Sequence, residues 1–517
     1  MRPLLCMILV IGWSSVVMGA EPATQSLDPT ARVTTRPATS PAGEDKSGDH
    51  LFTTSHSISV AGRTLSYTAV AGTMAQKDES GKPLADMFFV AYTLERGSGA
   101  SPTTRPITFV FNGGPGAASV WLHLGAVGPK RIKLDEDRGV PAAPPFQLID
   151  NESTWLDATD LVFIDPVGTG YSRPAEGQKG EQFYGVQEDI KSVGNFVRLY
   201  VTRYRRWPSP KFLAGESYGT TRAAGLSEHL LEKQGISLNG IILISSVLNF
   251  QAIVNAPGND LPYPLYLPTY TAAAAYHKKL ADDLMRDIDA TLKDVQQFAL
   301  NDYTAALAQG NALPDSRRND IAQKLSRYTG LPVDWIIKAN LRIDPGRFRK
   351  ELLADQGKLL GRFDARVTGL VADPLSADPE YDPSLSLFLP VYSANLNQYV
   401  RNELKFESDL PYEVLTERVQ PWNFGKGGFG YLNVADTLRD TILKNPQVRV
   451  LFAQGRLDLA TPFGSSDYTV DHLGLPPELR KNITRTYYPA GHMMYHDAGS
   501  RQRLHAVAVE FVGAGTH

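Results

Sequence analysis

The chain has 517 residues, of which 42% are hydrophobic and 21% charged, with a net charge of −3. A chain of this length can bury a large core and corresponds to one big or two modest folding units. The near-neutral balance excludes a broad basic surface for nucleic acid, and the hydrophobic content is that of an ordinary globular enzyme.

Arg2, the apolar stretch over residues 4–18 and the small residues Gly19-Ala20 read as a secretory signal covering residues 1–20. An uncleaved membrane anchor is the alternative reading. The only cysteine, Cys6, lies inside this segment, so the processed chain would be cysteine-free. Residues 21–50 are rich in Pro, Thr and Ser and cannot bury enough apolar surface to fold, so they read as a linker. The expectation is a secreted or periplasmic protein with no membrane span after signal cleavage.

Folded structure is expected from near His56. Residues 57–60 and 65–70 alternate like strands on either side of Ala61-Gly62, a hairpin signal. Residues 87–93, 107–111 and 161–164 predict further strands, the second nearly all apolar, as in a sheet buried on both faces. Residues 182–207 carry Ile190, Val193, Val197 and Val201 near the helix period. A strand at 211–214, a helix at 220–235 and a strand at 241–244 follow. Such alternation predicts an α/β fold with a mostly parallel central sheet and helices on both faces.

After residue 250 the pattern changes. Leu280, Leu284, Ile288, Leu292 and Val295 trace one long amphipathic helix, and residues 321–328 and 348–360 predict further helices between Pro-rich loops. Strands resume at 448–452 and 485–488, and a helix at 504–512 closes the chain. The domain reading is a core over 51–250, a helical cap insertion over 251–425, and the second part of the core over 426–517.

Within this pattern, Gly215-Glu216-Ser217-Tyr218-Gly219 matches G-x-S-x-G between a predicted strand and helix. That is the sharp turn that lifts a serine hydroxyl to the top of an α/β-hydrolase sheet. Ser217 is the candidate nucleophile. It needs a histidine base and an acid, in the chain order serine, acid, histidine, on loops after late strands. Asp458 follows the 448–452 strand, and His492, in Pro489-Ala490-Gly491-His492, follows the 485–488 strand. His496 is the alternative base. The oxyanion needs two backbone donors: one is the amide of Tyr218, the other an amide of the turn Asn112-Gly113-Gly114-Pro115-Gly116. No Lys-Ser/Thr follows that turn, so it is not a phosphate loop. No His, Asp or Glu cluster has metal-site spacing, and no cofactor is implied. The acidic stretch 378–383 invites a calcium reading, but it lacks the alternating ligand pattern and reads as a rigid cap loop.

Four segments in order carry a family resemblance: Phe111-Asn112-Gly113-Gly114-Pro115-Gly116, Asp165-Pro166-Val167-Gly168-Thr169-Gly170-Tyr171-Ser172, the Ser217 turn and Ala490-Gly491-His492-Met493. Together the chain resembles the serine carboxypeptidases, the carboxypeptidase Y-like family of α/β-hydrolases. The resemblance implies release of single residues from the C-termini of peptide or protein substrates. It also implies that Asn112, Gly113 and Glu216 bind the substrate's terminal carboxylate and that Gly114 and Tyr218 form the oxyanion hole. Two carboxylates repel unless one is protonated, so Glu216 must hold a proton in that role. Many relatives carry a second glutamate just before the Gly-Pro that follows the glycine loop. Here Ala126-Val127 precede Gly128-Pro129, and Ala126 takes its place. That departure keeps open an esterase, acyltransferase or other serine peptidase on the same scaffold. A catalytically silent binding protein is the third reading. The sequence fixes no oligomeric state.

Overall fold

The computed structural model describes residues 48–95, 104–425 and 430–516. The signal segment and nearly all of the linker lie outside these residues. Strand β1 (His50–Val60) begins six residues before the expected start. Its first residues pair with β2 (Arg63–Lys77), Leu51 opposite Gly72, while Leu51 and Phe52 remain exposed. Backbone pairing, with the Phe52 ring edge-on to Phe406, extends the strand there, which no alternating pattern of side-chain burial could announce. Ala61 and Gly62 both have positive φ, 47° and 75°, the geometry of a two-residue hairpin whose twist matches its strands.

The sheet continues with β3 (Pro83–Leu94), β4 (Ile107–Phe111), β5 (Asp160–Ile164), β6 (Lys211–Glu216), β7 (Gly240–Ile244), β8 (Arg449–Gly455) and β9 (Ile483–Tyr488). Their spatial order is β1-β2-β3-β5-β4-β6-β7-β8-β9, with the short strand Arg173–Pro174 paired to β3. Pairings from β5 to β9 are parallel, and those from β1 to β5 antiparallel. The central strands are buried on both faces. In β7, Ile241 and Leu243 point into one core while Ile242 and Ile244 point into the other. This two-sided burial is why these strands read as continuous apolar runs.

One core is covered by α1 (Val186–Arg203) and α2 (Tyr218–Gln234). Helix α2 ends at Gly235, whose φ of 64° supplies the left-handed cap. Between β7 and β8 come α3 (Pro262–Tyr276), α4 (Ile288–Phe298), α5 (Asp315–Thr329), α6 (Pro345–Glu351) and α7 (Pro383–Asn402). Helices α3 to α6 build a core of their own around Tyr270, Leu325 and Phe348, joined to the sheet side through Leu457 and Phe463. No described helix is long and apolar enough to cross a membrane.

Two sequence expectations in this region fail for identifiable reasons. The continuous helix through Leu280 and Val295 is broken, because Asp287 Oδ1 accepts the Ala290 amide at 3.0 Å and caps a new helix, α4. The helix expected over 348–360 stops at Glu351, and Lys358–Leu360 instead pairs as a strand with Thr368–Leu370. Helices α3 and α7 are not announced by the sequence pattern. Each carries an interior proline, Pro268 or Pro390, and α3 is buried nearly all round, so it shows no amphipathic stripe.

Candidate active site

The serine turn is formed where β6 passes into α2. Ser217 has φ 60° and ψ −131°, a conformation rare for a residue with a side chain and costing about 1–3 kcal/mol. It is held by its amide, which donates to the Ile244 carbonyl at 3.0 Å. The flanking glycines are there for space: a Cβ on Gly215 would come within 2.3 Å of the Gly219 carbonyl oxygen. The glycine loop after β4 packs directly onto this turn. A Cβ on Gly113 would lie 2.4 Å from the Tyr218 amide nitrogen, and Gly114 turns the chain with φ +96°. Gly114 and the N-terminus of α2 are thereby set side by side, and the first amides of a helix have no partner inside it.

Asn112, Gly113, Gly114, Glu216, Ser217, Tyr218 and His492 all line one cleft. Asp458, fully buried, lies behind His492. Its Oδ2 is 2.7 Å from His492 Nδ1, and its Oδ1 accepts the Ala460 and Thr461 amides at 2.8 and 3.0 Å. A carboxylate can only accept, so His492 Nδ1 carries the proton and Nε2 keeps its lone pair. Burial pushes the His492 pKa down, but the Asp458 carboxylate outweighs this and holds it above the ordinary value. The alternative base, His496, is buried elsewhere, its Nε2 2.8 Å from the Tyr392 hydroxyl and its ring tilted against Phe388 at 3.9 Å between centres.

Glu216 is buried, and loss of water pushes its pKa up to about 7 against the opposing charge of a protonated His492. Asn112 Nδ2 donates to Glu216 Oε1 at 2.8 Å, while Asn112 Oδ1 accepts the Leu122 amide at 3.0 Å. The amide is therefore fixed in orientation, with one N–H on the carboxyl group.

Residues 62–516 match the family described as serine carboxypeptidase. The chain belongs to the serine carboxypeptidase family. Over 144 residues it is 31% identical to the pheromone-processing carboxypeptidase KEX1 of Yarrowia lipolytica, covering 27% of this chain and 22% of that protein. It is 29% identical over 157 residues to serine carboxypeptidase-like 36 of Arabidopsis thaliana, covering 28% of this chain and 29% of that protein. The matched stretch thus spans less than a third of these relatives. The crystal structure of Kex1(Δ)p, a prohormone-processing carboxypeptidase from Saccharomyces cerevisiae, superposes with a TM-score of 0.55 at 17% identity. That match covers 86% of this chain and 91% of that one, and it shares the fold.

Several residues of this family member escaped the sequence reading. Thr461 Oγ1 sits 2.7 Å from Asp458 Oδ2, 3.2 Å from His492 Nδ1 and 3.0 Å from the Ser245 carbonyl. Its position three residues after a loop aspartate is a local signal for such a turn. Arg222 lies behind the glycine loop, where it donates to the Asn112 carbonyl and to Asp189 Oδ2, at 2.5 and 2.7 Å. Asp165 Oδ1 accepts the Ser119 amide and hydroxyl at 2.8 and 2.7 Å, so the second family segment braces the stretch that follows the glycine loop. Ala126 is buried and brings no carboxyl group, but the neighbouring Gly125 leaves room for the Tyr495 ring, which a Cβ there would meet at 2.4 Å. The Tyr495 hydroxyl interacts with Glu216 and lowers its pKa, although neither it nor Glu216 Oε2 makes a well-formed hydrogen bond. In the acidic stretch, Glu380 pairs with Lys350 at 3.1 Å and Asp382 caps α7 through the Ser384 amide.

Proposed function

We propose that the protein is a serine-type carboxypeptidase that removes C-terminal residues from peptides through an acyl-enzyme on Ser217. The observation that carries this reading is the Asn112–Glu216 pair lining the same cleft as Ser217 and His492. An amide donor beside a carboxyl group that holds its proton to about pH 7 is suited to a peptide's terminal carboxylate. The Gly113 amide backs this subsite.

Ser217 Oγ attacks the carbonyl carbon of the last peptide bond as its proton passes to His492 Nε2. The Asp458 carboxylate stabilises the imidazolium so formed. The amides of Gly114 and Tyr218 take the oxyanion, aided by the positive end of α2. The C–N bond then breaks, His492 returns the proton to the leaving amine, and the free amino acid departs. Water, deprotonated by His492, attacks the ester and releases the shortened peptide and Ser217.

The test is incubation of N-blocked dipeptides and their C-terminal amides with wild type and Ser217→Ala. Release of a C-terminal amino acid that disappears in the variant is the expected result; no such release overturns the reading. A second reading, an esterase, acyltransferase or other peptidase on this scaffold, draws on the lack of a second carboxyl group at Ala126. Faster turnover of simple esters than of peptide acids would favour it. The N-terminal signal reading adds export to the periplasm or medium, checked by N-terminal sequencing of the exported protein.

A further inference from the structure

Arg362 belongs to the helical insertion, yet its main chain is stitched to both loops behind the nucleophile. Its carbonyl accepts the Leu459 amide at 3.0 Å, the next carbonyl, of Phe363, accepts the His492 amide at 2.5 Å, and the Ala365 amide donates to the Leu457 carbonyl at 3.0 Å. From the other side the Arg362 amide donates to Asp382 Oδ1 at 2.9 Å. The backbone at this position is therefore fixed by residues flanking Asp458 and by His492 itself.

The side chain is anchored less tightly. The guanidinium carbon stands 5.5 Å from the centre of the Phe363 ring, which in turn lies 5.1 Å, centre to centre, from the tilted His492 ring. Arg362 lines the cleft with Ser217, Glu216 and His492. Among the described residues no carboxylate forms an ion pair with it, unlike the buried Arg222. Its hydrogen-bonding fork is thus free for a guest.

The charge balance of the cleft points the same way. Its other ionisable groups are Glu216, which keeps its proton below about pH 7, Tyr218, and His492, which must be neutral to act as a base. In the reactive state Arg362 carries the one full charge among these lining groups. The same cleft is lined by the apolar side chains of Trp121, Phe250 and Leu415, which offer an anion no competing partner, while Arg362 itself is exposed. A planar guanidinium matches a carboxylate with two parallel hydrogen bonds.

The α-carboxylate is assigned above to Asn112 and Glu216, on the strand side of the cleft, so Arg362 answers to a different carboxylate. We propose that Arg362 is a specificity residue that selects peptides with an acidic side chain, Asp or Glu, next to the scissile bond. This rests on the carboxypeptidase reading, and the test separates the two. Binding is measured by calorimetry at pH 6 with the Ser217→Ala protein, using N-blocked Ala-Glu against Ala-Gln and Glu-Ala against Gln-Ala, each with and without Arg362→Gln because His492 also holds a proton at that pH. At least one acidic member should bind about 5- to 10-fold tighter than its amide isostere, the scale of a partly exposed ion pair. The difference should shrink in high salt, vanish with a further Arg362→Gln change, and turn into a preference for Lys with Arg362→Glu. Equal binding of acid and isostere overturns the proposal. So does an Arg362→Gln loss that is the same for neutral and acidic peptides, which would make Arg362 an anchor for the α-carboxylate. Release of C-terminal residues by the wild type, scored separately on neutral peptides, tests the underlying reading and is independent of either outcome.

Discussion

Asn112 Nδ2 donates to Glu216 Oε1 across 2.8 Å, joining the glycine loop after β4 to the residue that precedes Ser217. The contact couples two segments 104 residues apart in sequence and sets a protonatable carboxyl group beside a fixed amide donor. On the proposed reading, how that pair titrates governs which peptides the cleft accepts.

Glu216→Gln removes the titrating group but keeps the shape. In wild type, kcat/KM for a peptide acid should fall as pH rises through about 7, where Glu216 ionises and repels the substrate terminus. The variant should lose that alkaline limb, and C-terminal amides should lack it in both proteins. Because Glu216 and His492 interact, the acid limb belongs to the pair and not to His492 alone. Stability has a defined sign as well. A carboxyl group whose folded pKa is raised holds a proton that the unfolded chain releases, so stability falls as pH rises from about 4.5 to about 7. Glu216→Gln should therefore gain up to about 3 kcal/mol on wild type between pH 4.5 and 8, read by denaturant unfolding.

Tyr495→Phe tests the side chain packed against Gly125. The Tyr495 hydroxyl lowers the Glu216 pKa, so its removal should move the alkaline limb for peptide acids to higher pH. Matched pH profiles of wild type and variant would show that the hydroxyl does not act on Glu216.

Asp458→Asn leaves the cavity filled but takes the charge from beside His492. The imidazole then loses both the group that fixes its tautomer and the one that stabilises its cation. A fall in kcat of about 10³- to 10⁴-fold is expected, with KM little changed. The His492 pKa, followed by NMR, should drop, because burial would no longer be opposed by the carboxylate.

Arg222 and Asp189 form an ion pair with side chains 1% and 3% exposed, so removing one partner strands a charge out of water. Arg222→Met alone should destabilise by about 3–5 kcal/mol, measured by urea unfolding. Adding Asp189→Asn should recover part of the stability. Activity should stay low in the double variant, because the Asn112 carbonyl still lacks the donor that Arg222 supplied.

How far these features were legible depended on whether they were local. The Ser217 turn could be read because its glycines answer a steric demand within five residues: Gly215 meets Gly219. Strands such as β4 and β7 could be read because burial on both faces leaves only apolar residues. Helices α3 and α7 could not, because each carries an interior proline and α3 is also buried nearly all round, and Asp287 redirected a periodic stretch through a single side-chain hydrogen bond.

The sequence by itself determined the alternation of strands and helices, the strained serine turn and the chain order of Ser217, Asp458 and His492, since each is written in short-range pattern. Only the tertiary structure decided that Asp458 Oδ2 meets His492 Nδ1, that Thr461 links Asp458 to the Ser245 carbonyl, and that the Tyr495 ring packs against Gly125 near Glu216. It also brought Arg362 to the cleft from the insertion, 145 residues beyond Ser217. The physical reason is that desolvation and charge pairing depend on which groups share a buried volume, and sequence separation carries no record of that.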